Sequence, residues 1–304
     1  MKVFYSELSA NPSLYSFGYS VYGELEESDS LDEVYGKGFL PFVGAKDQPK
    51  NMVYVARGSR VDASQFLERH YHARIRRKVA GLGAITSTLH PLSSFPITDK
   101  FISFLCTYFA FRFGKSSMPE DRIRAILNSG FLTHIREFHI NGNTAAYVLE
   151  VHGKSFIHTW YHAYAKQYEG SYLGLYLYLE ILQDLKRCNG SFLYLGVTYG
   201  SWMSYKTEFQ PLSFWDGRQW VNDPKSKKLK ELFKADSVRL LTLTDPWRES
   251  LTPFYTGLYS YGSTRLEFRL LATIVSGLPR ITLGILCGIG LIMLILLLQI
   301  TGLL

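Results

Sequence analysis

The chain has 304 residues, enough for one large or two ordinary domains, and 33 Lys and Arg outnumber 26 Asp and Glu for a net charge of +7. That excess suits an anionic partner, either RNA or acidic lipid. Cys106, Cys188 and Cys287 lie far apart, with no CxxC and no His/Cys metal spacing. This excludes a disulfide framework or a zinc module and fits a reducing compartment.

Met1 to Ala10 include Lys2 and Glu7 with no apolar run, so no signal peptide is expected. Residues 1–98 mix Gly, aromatic and charged residues, with a strand expected at Met52 to Ala56. Arg69 to Lys78 concentrates Arg69, Arg74, Arg76, Arg77 and Lys78. It reads either as a solvated helix face or as a phosphate-contacting patch. His70 and His72 within it lack a third ligand for a metal.

Phe101, Phe104, Leu105, Tyr108 and Phe111 recur at helical spacing, and a second helix is expected over Asp121 to Leu132. Phe138 to Tyr147 and Leu149 to Tyr164 alternate apolar and polar residues around Asn141-Gly142 and His152-Gly153, a hairpin pattern. Tyr172 to Leu185 is compatible with a strand by its Leu/Tyr alternation and with a helix by Leu175, Leu179 and Leu182. Phe192 to Tyr199 reads as a buried strand, and Lys225 to Lys234 as a lysine-rich segment. No GxSxG or HExxH is present. Gly114-Lys115-Ser116 and Gly153-Lys154-Ser155 lack the earlier glycine of a P-loop, having Phe109 and Val148 instead. His158 and His162 are four apart, but in strand-like sequence that spacing does not make a helical metal pair.

Ile281 to Leu304 contains no charged residue. At about 1.5 Å per residue these roughly two dozen residues reach about 36 Å, against a hydrocarbon core of about 30 Å. A membrane-spanning helix is expected, with a buried core helix as the alternative. Arg265, Arg269 and Arg280 before it place the head in the cytoplasm by the positive-inside bias. Gly284 and Gly288 would allow two anchors to pack as a dimer.

Tyr194-Leu195-Gly196, Ser201-Trp202-Met203-Ser204-Tyr205-Lys206, Phe209-Gln210-Pro211 and Asp216-Gly217-Arg218-Gln219-Trp220 follow one another closely. Together they resemble the closing signature of the arginyl/leucyl-tRNA–protein transferases. Leu173-Gly174 resembles that family's helix start and favours the helical reading of the following run. Upstream, Tyr108, Arg112 and Met118, then Arg60-Val61, Phe66, Arg74, Arg76 and Arg77, and Tyr35 to Phe39, continue the likeness. It covers roughly residues 12 to 220.

The resemblance implies an α+β fold, a GNAT-like mixed sheet flanked by helices. The expected division is an N-terminal region (1–98), a catalytic domain (99–244), a juxtamembrane linker (245–280) and the anchor (281–304). It also implies transfer of Arg or Leu from aminoacyl-tRNA to a protein N-terminal amine; no cofactor and no metal are expected, since the N-terminal cysteines that bind a cluster or metal in some members are missing here. The residues expected to do the chemistry are Tyr161, Ser201, Tyr205 and Lys206. Arg112, Ser171, Tyr194, Gly196 and Met203 would bind substrate, and Arg74, Arg76, Arg77 and Lys78 would bind tRNA. The chain departs from the family at Ala165-Lys166, where Asp-Pro is expected, at Phe113, at Trp202, and in lacking N-terminal cysteines. Gln167 to Tyr172 approaches a CoA pyrophosphate loop but ends in a tyrosine that obstructs it. An acyltransferase with another donor and a non-catalytic module binding tRNA or N-termini are the competing readings.

Overall fold

The computed structural model describes residues 1–5, 21–43, 50–114, 118–236 and 252–253. The expected anchor, its dimer-forming glycines and most of the linker lie outside them. Among the described residues, no helix is long and apolar enough to cross a membrane.

The elements in chain order begin with β1 (Lys2–Tyr5), β2 (Val21–Glu24), α1 (Leu31–Gly36), β3 (Phe39–Pro41) and β4 (Met52–Val55). Next come β5 (Gly58–Asp62), α2 (His70–Ala80), β6 (Ile85–Pro91), α3 (Asp99–Phe113) and α4 (Glu120–Leu127). Then follow β7 (His134–Ile140), β8 (Asn143–His152), β9 (Phe156–Tyr164), α5 (Leu173–Arg187) and β10 (Phe192–Val197). The remainder are β11 (Leu212–Trp215), β12 (Trp220–Asn222), α6 (Lys227–Asp236) and β13 (Thr252–Pro253). A small sheet has the order β13-β1-β2-β4-β3, and an eight-stranded sheet the order β12-β11-β5-β10-β9-β8-β7-β6. In the large sheet β9 and β10 are parallel and the other pairs antiparallel. The protein is thus α+β, with a large mixed sheet flanked by helices.

Local chemistry explains several elements. Asn141 and Gly142, at φ 51° and 77°, form the two-residue turn that sets Ile140 opposite Asn143. Positive φ at both positions gives the hairpin its twist-matched turn. The next turn, between β8 and β9, is held from outside. The Asp32 carboxylate of α1 accepts from Lys154 N at 2.9 Å, Ser155 N at 3.0 Å and Ser155 Oγ at 2.7 Å. Thr98 caps α3 by accepting from Phe101 N. The run from Leu173 is helical. The helix expected over Asp121 to Leu132 stops at Leu127, where Asn128 caps it and Gly130 turns the chain at φ 80°.

One sheet face is covered by α2 and α5, with Ile75, Val79, Leu177 and Leu182 over Val61, Val148 and Leu193. The other is covered by α3 and α4, with Phe101, Leu105 and Ile123 over Tyr147 and Leu149. The segment before residue 98 supplies β5 and β6 to this same sheet, and β5 lies between β10 and β11.

A charged network is buried in the sheet. Arg136 Nε donates to Glu150 Oε1 at 2.7 Å, Arg136 Nη1 to Asp184 Oδ2 at 2.5 Å, and His152 Nε2 lies 2.6 Å from Glu150 Oε2. Burial pushes the fully enclosed Glu150 up, but hydrogen bonding from His152 and the charge of Arg136 outweigh it and hold the carboxyl below its ordinary range. Removing one member strands a buried charge. Glu150→Gln is expected to cost about 3–5 kcal/mol in urea unfolding. The double variant R136M/E150L should lose clearly less than either single change, because no buried charge remains unpaired.

Candidate active site

β9 and β10 pair from Phe192↔Phe156 to Tyr194↔His158 and then part. On its other edge β10 pairs with β5 from Phe192 to Val197, with a register shift between Tyr194 and Gly196. A second shift, where Glu150 opposes Thr159 and Leu149 opposes Tyr161, bulges β9 at Trp160. The parting leaves a gap between the two strands, and Lys206 of the 3₁₀ segment Ser201–Glu208 reaches Val197 O at the carboxyl end of β10.

Gly196 has φ 76°, a conformation that disfavours any side chain. A Cβ there would sit 3.4 Å from His158 Nε2 and 3.9 Å from Lys206 Nζ. Both nitrogens therefore converge on the space that the glycine leaves open.

Lys206 is 3% exposed, and its Nζ donates to Val197 O at 2.6 Å. That partner is neutral, so burial dominates and brings the ammonium down to about 7. His158 Nδ1 shares a 2.9 Å hydrogen bond with Tyr35 Oη, and its buried Nε2 has no hydrogen-bond partner among the described residues. Burial, aided by the charge of Lys206, lowers this histidine to about 3, so it is neutral.

A polar array extends from this point. Tyr205 Oη lies 3.5 Å from Tyr178 Oη, which lies 3.3 Å from His162 Nδ1. Burial and then the charges of Lys206 and Arg112 lower His162 to about 4. Burial and then Tyr178 push Tyr205 well above the usual phenol range. Gly174, in the first turn of α5, permits this packing: a Cβ there would be 3.2 Å from the Tyr164 ring and 3.7 Å from His162 Nε2.

Of the residues expected at the site, Gly196, Tyr205 and Lys206 come together. Arg112 stands at the end of α3, exposed but near enough to act on His162 and Tyr205. Met203 packs into the core beneath the 3₁₀ segment, and Ser201 is exposed at its start. Ser171 shapes the entry to α5, donating to Tyr168 O and accepting from Leu173 N. The Tyr194 hydroxyl accepts from Arg60 Nη1 at 3.1 Å, and its ring packs on Tyr35, Phe156 and Trp220. Tyr161 is not among the groups gathered around Lys206. Its ring packs on Phe109 on the α3–α4 side, hydrogen-bonded to Arg122, and its neighbour His162 faces Tyr178 of α5.

The basic patch is divided. Arg76 donates to Glu68 through Nε at 2.9 Å and Nη2 at 2.6 Å, and is ion-paired to Glu180. Arg74, Arg77 and Lys78 are exposed on α2, with Lys78 Nζ 4.7 Å over the Tyr172 ring. His72 caps α2: Nδ1 accepts from Arg69 N, and Nε2 binds Glu208 O. Among the described residues, no three His, Cys, Asp or Glu side chains converge to hold a metal. His158, Tyr35 and Tyr178 were not expected at the site. The one signal was the His158/His162 pair in a strand.

No family model matches the chain, and no curated protein matches it. Solved structures overlap it in part. The C-terminal domain of a putative lysylphosphatidylglycerol synthetase from Agrobacterium fabrum shares 16% identity over 50% of this chain and 49% of its own, at a TM-score of 0.37. L-PGS from Bacillus licheniformis shares 15% over 46% and 44%, at 0.36. FemX shares 8% over 55% and 59%, at 0.37. The chain thus spans about half the length of each. Similarity at this level assigns no activity.

Lys206 gives the site a pH signature. Between about pH 7 and its ordinary value of 10.5 the folded protein leaves this amine neutral, whereas the unfolded chain protonates it. Unfolding then takes up a proton, so stability rises with pH through that window. Urea midpoints should climb from pH 7 to 10 in the wild type relative to Lys206→Met, which lacks the titrating group. Parallel curves for the two proteins would mean an amine of ordinary pKa.

Proposed function

We propose that the protein is an aminoacyltransferase that moves an amino acid, of the Arg or Leu class, from aminoacyl-tRNA to the N-terminal amine of a protein. The observation that carries this reading is the buried Lys206 amine, near neutrality, which with His158 Nε2 adjoins the side-chain position that Gly196 leaves empty. These residues fall in the segment whose sequence resembles the arginyl/leucyl-tRNA–protein transferases. Tyr172, at the N-cap of α5, favours aminoacyl-tRNA over a CoA donor.

The chemistry asked of the site is modest, because an aminoacyl ester is already activated. The acceptor ammonium first loses a proton, and Lys206 in its neutral form accepts it. The amine nitrogen then attacks the ester carbonyl, and negative charge develops on the carbonyl oxygen. When the intermediate collapses, the C–O bond to the tRNA ribose breaks and the amide bond remains. The Lys206 ammonium returns a proton to the departing ribose oxygen, and the second amine proton passes to solvent. The hydroxyl of Tyr205 and the ring of His158 supply hydrogen bonds along this path. Arg74, Arg77 and Lys78 would meet tRNA phosphates, while Arg76 is held by its carboxylates. Residues 281–304 would tether the head to the cytoplasmic face of a membrane.

The test is transfer of radiolabelled Arg or Leu from charged tRNA to peptides of varied N-terminus, using the full chain in detergent. Lys206→Ala should slow transfer more than tenfold, about 1.4 kcal/mol or more of barrier, with Tyr205→Phe losing less. Transfer that survives Lys206→Ala unchanged would remove the lysine from the mechanism.

The same preparation tests the tRNA surface. Alanine at Arg74, Arg77 and Lys78 together should weaken tRNA binding and flatten its salt dependence by roughly 0.7–0.9 in log–log slope per lost contact. Unaltered affinity would make the patch a solvated face.

A further inference from the structure

A second cleft, of about 310 Å³, opens between α3 and the end of β9. Its walls include the rings of Phe104, Tyr108, Phe111 and Tyr164, and Lys100 and Lys166 complete two of its sides. No aspartate or glutamate lines it among the described residues. Phe111 is 41% exposed, an unusual setting for a large apolar ring, and Lys166 Nζ stands 5.0 Å over it. Tyr164 is shared with the active site: its ring packs on Tyr108 at 4.8 Å on one side and against Gly174 and His162 on the other.

We propose that this cleft binds an anionic amphiphile, a single ring or short chain bearing one oxyanion. The apolar part lies among the four aromatic rings, and the oxyanion lies beside Lys166, which stands over Phe111, while Lys100, roughly 16 Å before Phe111 along α3, keeps the other end of the cleft positive. Three features select this chemistry. The volume is at the lower end of small-molecule sites, which admits one ring or chain and excludes a two-chain lipid or a nucleotide. The aromatic walls gain most from an apolar occupant, at roughly 25 cal/mol per Å² removed from water. Both charged side chains are cationic, so a carboxylate or phosphate is attracted and an ammonium repelled. The inference does not depend on the transfer reading, because it is tested by binding alone.

The full-length protein in non-ionic detergent is titrated calorimetrically with four water-soluble probes of one shape: 4-phenylbutyrate, 4-phenylbutyl phosphate, 4-phenylbutanol and 4-phenylbutylamine. The two anions should bind at least tenfold tighter than the alcohol, with the amine weakest. The better anion identifies the head group. K100E/K166E, at two exposed positions, should invert the order, and Thr107→Trp, which fills the cleft, should abolish binding of all four. Equal affinities for the four probes, an order unchanged in K100E/K166E, or no binding at all would overturn the proposal. K100E/K166E keeps the test decisive if Thr107→Trp fails to fold.

Discussion

β9 and β10 run side by side for three residue pairs and then separate, and the candidate site exists because they do. A continuous parallel pair would fill that space with ladder hydrogen bonds. Here β10 stays paired with β5 but bulges after Tyr194, and Gly196 adopts a conformation in which a side chain is disfavoured. β9 has its own bulge, at Trp160, just past the last paired residue, His158. The crossover helix α5 closes the gap from one face, and Gly174 permits it to approach Tyr164 and His162. The 3₁₀ segment brings Lys206 in from the end.

The electrostatics of this buried cluster follow from its inventory. Lys206 has a carbonyl rather than a carboxylate for a partner, so nothing offsets the desolvation of its charged form. The same burial keeps His158 and His162 neutral, and the lysine's own charge adds to the effect. Contrast Arg136, which is as deeply buried but faces Glu150 and Asp184 and stays charged. One fold therefore keeps one buried cation as structure and holds another near neutrality. The difference lies in whether a carboxylate was placed beside it.

The surface shows the same rule in milder form. Five basic residues crowd Arg69 to Lys78, yet Glu68 and Glu180 claim Arg76, and Lys78 lies over a tyrosine ring. A dense run of positive charge in sequence thus becomes a smaller set of free charges on the folded surface. The lysines flanking the α3–β9 cleft come from distant parts of the chain and are not visible as a cluster at all.

The sequence by itself determined what depends on near neighbours. The Asn141-Gly142 hairpin, the amphipathic α3 and the Leu-rich α5 are local, since turn chemistry and side-chain period act over a few residues. Gly196, Tyr205 and Lys206 were legible together because ten residues and one tight segment connect them. Tertiary structure decided the rest. β5 pairs with β10 and β11 across more than a hundred residues, a partnership that no local pattern encodes. The bulge at Trp160 puts Tyr161 on the α3–α4 side against Phe109 and His162 on the α5 side against Tyr178, because strand alternation has a period of two and one extra residue inverts it. His158 became a site residue only when Tyr35, Gly196 and Lys206 were folded around it. The near-neutral amine likewise depends on exclusion of water, which is a property of the packed fold and not of any residue type.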